Sequence, residues 1–327
     1  MGTPHPMQHL PREQAYEYDI VVKEPKLAVS PGEVFSVDTE DALNGTIRRE
    51  DQLPTTENLG LQHRLMVEAN PCAGPIVVQG ARAGDTLAVT IHDIVVDDQG
   101  VSCIFEGEGP LGDSFKYQDC RGPLTTIVKH IPGPSGTTSD GKGVLHGRVV
   151  WDLHPFIGTI GTVPVRPMSA GSDTVNGQGA WGGNLDCRDI CKGHKVLLPV
   201  YHDGAYLYLG DVHATQGDGE LYGSADEARA RVTLSCEVIP GKRTPWIRLE
   251  TPDALIQLYS FRPLEDALKQ AWRLLIDWLV EDYGFTAREA YVQLELNPEV
   301  RTHVYQMVAL RRINYTLGVS FPKSALR

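Results

Sequence analysis

The segment Thr86–Val96, TLAVTIHDIVV, has the clearest strand pattern in the sequence. Leu87, Val89 and Ile91 occupy alternate positions, and alternate positions share one face of a β-strand. Similar short runs rich in Val, Ile and Leu recur between about residues 20 and 240, separated by clusters of Gly, Pro and Asp. The pattern therefore predicts a mainly β fold with a body like a β-sandwich or β-barrel.

A second stretch predicts a specific local structure. Val196–Asp211, VLLPVYHDGAYLYLGD, contains two apolar runs joined by Asp203 and Gly204. An Asp-Gly pair supplies the positive φ angles that a tight hairpin turn requires. We therefore expect a β-hairpin over this stretch.

The hydrophobic period becomes helical after Pro263, in LEDALKQAWRLLIDWLVEDYG, and this helix is expected to end at Gly284. Thr286 and Glu289 have the spacing of a capping box and predict a second helix. Asn297-Pro298 predicts the start of a third. The chain as a whole is therefore expected to be α+β, with its helices at the C-terminal end.

These patterns divide the chain into three parts. Residues 1–19, interrupted by prolines, form an N-terminal arm. Residues 20–262 form a β-rich body, which is the expected catalytic part if the protein is an enzyme. Residues 263–327 form a mainly helical segment that packs on this body.

The charge balance excludes several classes of partner. The 327 residues include 42 acidic and 30 basic side chains, for a net charge of −12. Such a field repels nucleic acid and anionic membranes, and no Lys/Arg cluster opposes it. No apolar run approaches the ~20 residues of a membrane-spanning helix, and the arm lacks the apolar core of a secretory signal. We expect a cytoplasmic protein that binds neither nucleic acid nor membrane.

The sequence predicts neither a dinucleotide-binding motif nor a catalytic nucleophile. Gly107–Gly112 matches the dinucleotide fingerprint, but Pro110 and flanking acidic residues argue for a simple glycine loop. No Gly-x-Ser-x-Gly or Ser-x-x-Lys nucleophile motif is present. Cys187 lies between Asp186 and an Arg-Asp pair, without the positive surroundings of a reactive thiol. Covalent catalysis is therefore disfavoured.

Metal-ligand side chains are concentrated beside glycines in three segments. The first is Val37–Gly45, VDTEDALNG, and the second is Gly182–Asp186, GGNLD. The third, Gly210–Glu220, reads GDVHATQGDGE and places an imidazole, a carboxamide and three carboxyl groups at the end of a strand. Functional sites commonly lie at such junctions between strand and loop. We therefore expect the site to include the third segment.

Taken together, these segments resemble the acetamidase/formamidase family. The resemblance extends from about residue 30 to residue 320, and Gly210–Glu220 is its most specific part. Trp181 stands where members of that family often have His. The supporting motifs, in order, are Val37-Asp-Thr-Glu-Asp-Ala42, Asn70-Pro-Cys-Ala-Gly-Pro75, Gly84-Asp-Thr-Leu-Ala-Val89, Pro155-Phe-Ile-Gly-Thr-Ile-Gly161, Gly182-Gly-Asn-Leu-Asp186 and Leu198-Pro-Val200.

The resemblance implies a β-rich enzyme that uses a divalent metal to hydrolyse short amides to carboxylate and ammonia. It also implies a homodimer or a dimer of dimers. A divalent ion can polarise an amide carbonyl and lower the pKa of water. Oxygen ligands with one or two imidazoles suit zinc, and an all-oxygen set suits calcium. The residues assigned to the metal on this basis are Asp38, His154, Asn184, Asp186 and His213.

The remaining roles are assigned on the same basis. Glu220, with Asp218 as its rival, is expected to accept the proton of the attacking water. Backbone amides of Gly182 and Gly183 are expected to stabilise the oxyanion, and Trp181 and Gln216 to contact the substrate.

Two alternatives remain open at this stage. One is a hydrolase of a larger amide or lactam, suggested by Trp181. The other is a non-catalytic β-sandwich that contains a metal ion and binds a carbohydrate or small molecule.

Overall fold

The computed structural model describes residues 7–166, 173–308 and 313–326. Residues 1–6 of the predicted arm and residues 167–172 lie outside this part of the chain. The described strands are β1 (Gln8–Leu10), β2 (Leu27–Val29), β3 (Val34–Thr39), β4 (Cys72–Val78), β5 (Thr86–Val96), β6 (Gln99–Ile104), β7 (Leu124–Ile131), β8 (Lys142–Leu145), β9 (Val149–Asp152), β10 (Phe156–Thr162), β11 (Gln178–Gly179), β12 (Gly182–Asn184), β13 (Lys195–Pro199), β14 (Leu207–His213), β15 (Ala230–Ile239), β16 (Arg248–Glu250), β17 (Ala254–Phe261), β18 (Arg301–Gln306) and β19 (Tyr315–Pro322).

The strands form three sheets. The largest has nine strands in the order β1-β3-β15-β5-β13-β16-β17-β19-β18, the second has six in the order β11-β12-β10-β14-β4-β2, and the third is β6-β7-β8-β9. Pairing is antiparallel except between β1 and β3 and between β2 and β4. The predicted mainly β fold is confirmed. Part of the predicted arm, Gln8–Leu10, is itself an edge strand of the large sheet.

The main core lies between the nine-stranded and six-stranded sheets. Leu87, Val89 and Ile91 of β5 all point into it, as their alternation predicts, and Ile160 and Leu209 approach from the other sheet. All five side chains are fully buried. Complete burial of an aliphatic side chain contributes about 1.5–3 kcal/mol, so this layer holds the two sheets together.

The α-helices are α1 (Thr56–Leu59), α2 (Leu61–Arg64), α3 (Leu264–Tyr283) and α4 (Ala287–Leu296). Helix α3 begins after Pro263 and ends at Gly284, whose left-handed φ of 70° closes the last turn, as predicted. It packs on β17 and β19, on the face of the large sheet opposite the main core. Within the described residues, no helix is long and apolar enough to cross a membrane.

The C-terminal segment is partly helical and partly β. The capping box is confirmed, since the Thr286 hydroxyl accepts from Glu289 N and the Glu289 carboxylate accepts from Thr286 N. The predicted third helix is wrong. Asn297 ends α4 and closes only one turn, with Val300 N, before Arg301–Gln306 extends as β18 against β19. Pairing with β19, the next strand in the chain, therefore overrides a local helix-start signal.

The predicted hairpin over 196–211 is also wrong. Strand β13 pairs with β5 and β16 in the large sheet, whereas β14 pairs with β10 and β4 in the second sheet. The turn itself is present, and the Asp203 carboxylate fixes it by accepting from Arg82 Nη1 at 2.9 Å. The Asp-Gly signal thus identifies a turn, but the turn connects two sheets.

An interruption in β14 directs polar side chains away from the core. Leu207 and Leu209 face the main core, but beyond Asp211 the core-facing positions are Val212 and Ala214. Asp211 has a left-handed φ of 54°, which breaks the two-residue alternation of the strand. The change leaves Asp211 and the next residue but one, His213, out of the core layer.

Candidate active site

A cavity of about 90 Å³ lies beside the end of β14. Part of its lining is polar, with carboxylates and carboxamides contributed by several elements. Strand β12 and the turn after it, β14, and the loop before β15 each supply at least one. The carboxylates and carboxamides that line it belong to Asn70, Glu108, Asn184, Asp186, Asp211, Glu220, Glu227 and Gln306, and His63, Tyr222 and Ser224 also line it.

His213 is the centre of the polar cluster. Its Nε2 lies 3.3 Å from Asp211 Oδ1, 3.2 Å from Glu227 Oε2 and 4.0 Å from Asp186 Oδ1. The His213 side chain is 1% exposed. One buried ring nitrogen thus faces three carboxylates.

Gln216 fixes the orientation of the His213 ring. Its Nε2 donates to the backbone carbonyls of Asp186, at 3.1 Å, and Tyr305, at 2.8 Å. Its Oε1 must therefore be the atom that lies 2.9 Å from His213 Nδ1, and that nitrogen is the donor. In the neutral ring this leaves the lone pair of Nε2 directed at the carboxylates.

The carboxylates are held close to the backbone and to one another. Gly158 lies under the cluster, and a Cβ there would be 2.7 Å from Asp186 Oδ1 and 2.9 Å from Asp211 Oδ2. Gln306 donates to Asp186 Oδ2, and Asn70 Nδ2 donates to Asp211 Oδ2 at 3.0 Å. Only glycine at position 158 permits this approach.

Burial and mutual repulsion shift the ionisation of these groups. Burial and the Asp211 charge raise the pKa of Asp186 to about 7. Burial and Asp186, to which it is hydrogen-bonded, raise the pKa of Glu220 well above its usual value. Burial alone would lower the pKa of His213, but Glu227 and Asp211 raise it well above its usual value. The cluster therefore holds protons at neutral pH when only these side chains are present.

The backbone around the cluster is strained. Asn70, Asp186, Asp211 and Glu220 have φ angles of 57°, 44°, 54° and 44°, in the left-handed region. That region costs a residue with a Cβ on the order of 1 kcal/mol or more, and such strain is concentrated at functional sites. Four of the cavity's polar residues share this property.

The donor set fits a divalent cation. Asp186, Asp211 and His213 form one group with ligand atoms within 4.8 Å of one another, and His213, Glu220 and Glu227 form another. Asp186 Oδ1 and Glu227 Oε2 are buried and accept no hydrogen bond within the described residues. No Lys or Arg is among the described lining residues. A cation would satisfy these unpaired oxygens, which are costly to bury.

The structure brings together four of the residues assigned from sequence. Asp186, His213 and Glu220 belong to the cluster described above. Asn184 also lines the cavity, where its Nδ2 donates to Val175 O at 2.9 Å.

The assignment of Asp38 to the metal is corrected, because Asp38 lies outside the cluster. Its carboxylate accepts from Arg231 Nε at 2.8 Å and lies 3.2 Å from His9 Nε2. Burial raises its pKa, but the hydrogen bond and charge of Arg231 outweigh this and lower the net pKa. Asp38 therefore forms an ion pair between the neighbouring strands β3 and β15 and does not belong to the metal cluster.

His154 and Asp218 are corrected for a similar reason. The His154 side chain is exposed, and its backbone N donates to Ala214 O at 3.0 Å. The exposed Asp218 carboxylate pairs with Arg188 at 2.8 Å. Neither residue belongs to a candidate metal group.

The predicted substrate contacts are placed differently from expectation. Gly182 and Gly183 pair with β10 inside the sheet, and Trp181 packs with Val163 and Tyr208. Neither these three residues nor Gln216 is among the described residues that line the 90 Å³ cavity. Gln216 instead lies behind His213.

Sequence reasoning did not assign several residues that the structure places in the site. Asp211 lies within the segment Gly210–Glu220 and Asn70 within a family motif, but the sequence alone assigns no role to either residue. Glu227 lies three residues before the start of β15, and Gln306 ends β18. The last two have no local signal, because only the fold brings them to the cavity.

Cys187 is unsuited to nucleophilic attack. Its side chain is fully buried, and burial together with the Asp189 charge raises its pKa well above the ordinary value. The thiol therefore stays protonated at neutral pH.

Comparison with known proteins identifies a family. Residues 16–173 and 168–252 match the model of the acetamidase/formamidase family. A formamidase from Methylophilus methylotrophus is 27% identical over 234 residues, or 59% of this chain and 56% of the relative. The chain thus spans little more than half of that relative's length.

Two solved structures are similar over nearly the whole chain. An acetamidase from Bacillus halodurans has 30% identity and a TM-score of 0.82, covering 96% of this chain and 97% of the other. An acetamidase from Yersinia enterocolitica has 30% identity and a TM-score of 0.85, covering 100% of this chain and 94% of the other.

Proposed function

Because the chain belongs to the acetamidase/formamidase family, we propose that it is an amidase that cleaves the C–N bond of short aliphatic amides, giving carboxylate and ammonia. The observation that carries this proposal is the buried His213, whose Nε2 faces Asp186, Asp211 and Glu227. A cluster built only for stability would not gather buried carboxylates with unpaired oxygens.

A divalent metal is part of the proposal. The residues that would hold it are His213 with Asp186, Asp211 and Glu227. When bound, the ion supplies Lewis-acid polarisation of the amide carbonyl and lowers the pKa of a water molecule. The mixed nitrogen and oxygen donor set favours zinc, and the carboxylate excess makes calcium the second candidate.

Glu220 is proposed as the general base. Its carboxyl lines the cavity, hydrogen-bonds to Asp186 and has a raised pKa. In its ionised form a carboxylate at this position can accept a proton from water and return it to the departing ammonia. Asp218, the rival in the sequence, is exposed and bound to Arg188.

The larger-amide alternative has less support than before. Trp181, which suggested it, packs in an apolar cluster with Tyr208 and Val163 and is not among the described residues that line the 90 Å³ cavity. The cytoplasmic location and the homodimeric or tetrameric assembly remain part of the proposal. The six free cysteines, of which five are buried, are compatible with a reducing compartment.

Ammonia release from acetamide by purified, zinc-supplemented protein tests the proposal, with His213→Ala as the variant. We expect turnover by the wild type and a loss of at least 100-fold in the variant. His154→Ala is the matched control, because its side chain is exposed and outside the cluster, and it should keep full activity. Absence of ammonia release from any short amide would refute the proposal.

A further inference from the structure

The cavity has a second, apolar wall. Ala69, Val175 and Ile313 form a separate buried cluster, and Met66 packs against it. Each of these four side chains lines the cavity that contains the carboxylates. Leu43, which belongs to a different buried cluster, also lines the cavity. The cluster contributes little to the main core, since it contains only three buried residues.

The local backbone holds this wall in place. Asp41 Oδ1 accepts from Leu43 N at 3.0 Å and from Gly45 N at 2.8 Å, which fixes the turn that carries Leu43. Met66 has a left-handed φ of 59°, which is uncommon for a bulky side chain. Its backbone N donates to His63 O at 2.8 Å in this conformation. The wall is therefore a defined surface.

An amide in this cavity has two different ends. Its carbonyl and nitrogen require polar partners, and the cluster of Asp186, Asp211, Glu220 and Glu227 concentrates such partners in the cavity. Its acyl chain then points toward the apolar side. Formamide has only a hydrogen at that position and would leave the wall uncovered.

We propose that Met66, Val175 and Ile313 form an acyl-binding wall that selects primary amides with three- or four-carbon aliphatic acyl groups over formamide. The inference rests on the proposed function and specifies its substrate class. Each buried CH₂ group is expected to raise kcat/KM about fourfold. The cavity volume of about 90 Å³ limits the chain to a short one.

The test is kcat/KM of the zinc-supplemented protein for formamide, acetamide, propionamide and butyramide. We expect a steady increase from formamide to butyramide. Ile313→Ala should lower the butyramide to acetamide ratio about tenfold, mainly through KM, because it removes contact with the acyl chain. Val163→Ala is the control, since Val163 is equally buried but belongs to another cluster, and the ratio should not change.

Met66→Ala gives a second variant in case Ile313→Ala folds poorly, because Met66 is only partly buried. A drop in the same ratio supports the proposal. Fastest turnover of formamide, or an equal effect of either variant on all four amides, overturns the acyl-wall assignment while the amidase function stands. Absence of turnover with every amide overturns both.

Discussion

Gln216 Oε1 accepts a hydrogen bond from His213 Nδ1 at 2.9 Å, on the side of the ring opposite the carboxylate cluster. Two backbone carbonyls fix the amide of Gln216, so its oxygen cannot turn away from the ring. The contact sets the tautomer of His213 and leaves Nε2 as a potential metal ligand. A residue of the loop after β14 therefore orients the histidine that is proposed to bind the metal.

Replacing Gln216 by Leu should weaken zinc binding 10- to 100-fold, because the ring loses the partner that orients it. Chelator competition measures the zinc dissociation constant directly. Gln118→Leu is the matched control, as Gln118 is exposed and its side chain donates to the Phe115 carbonyl at 3.3 Å. Unchanged zinc affinity in Gln216→Leu would show that Gln216 does not orient His213 for metal binding.

Replacing Glu220 by Gln should lower kcat by about 10² to 10⁴, since a carboxamide cannot accept the proton of water. Asp218→Asn should leave kcat within twofold of the wild type, because Asp218 is exposed and pairs with Arg188. Steady-state ammonia release gives both values. Near-normal turnover by Glu220→Gln would show that another group is the base.

The chelated protein should become less stable as pH rises. An unfolded Asp has a pKa of about 3.9, whereas burial and Asp211 raise that of Asp186 to about 7 in the folded state. The folded protein therefore binds more protons than the unfolded chain between about pH 4 and pH 7. One extra proton lowers the free energy of unfolding by about 1.4 kcal/mol per pH unit within this window.

Zinc should reverse this trend, because the ion replaces protons on the same carboxylates and binds more tightly as pH rises. Urea unfolding at pH 5, 6 and 7, with chelator and with excess zinc, measures both effects. The chelated Asp186→Asn variant should have a flatter pH profile than the chelated wild type. Stability of the chelated wild type that rises across this range would contradict the assigned shift.

Gly182→Ala should destabilise the protein by about 2 kcal/mol or more. Gly182 has a φ of 114°, and its new Cβ would be 2.2 Å from Ile160 O. Gly193→Ala is a useful control, because Gly193 has a φ of 84° but no atom within 4 Å of the added Cβ. If the two variants have equal free energies of unfolding, the close contact with Ile160 O adds no destabilisation to that caused by an alanine at positive φ.

Much of the fold was accessible from sequence because local patterns determine it. Strand β5 and helix α3 have the predicted bounds, since an uninterrupted period of two or 3.6 residues reports which face is buried. The 196–211 hairpin failed for a physical reason. Two adjacent apolar runs pair with whichever strands the tertiary structure offers, and these belong to different sheets.

The same distinction applies to the site. The segment Gly210–Glu220 drew attention to His213 and Glu220 because its ligand residues are close in sequence. Glu227 and Gln306 could not be recognised in this way, as β-sheet pairing alone brings them to the cavity. Asp38 has a carboxylate that could bind a metal, but it lies outside the cluster and forms an ion pair with Arg231 on the paired strand.

Chelation followed by metal restoration tests the central claim most directly. Ammonia release from acetamide and butyramide is measured before chelation, after it, and after stepwise addition of zinc or calcium. We predict that activity falls by at least 100-fold on chelation and returns in proportion to the zinc bound by the wild type, but not by His213→Ala. Ammonia release that persists in fully metal-free protein would contradict the account.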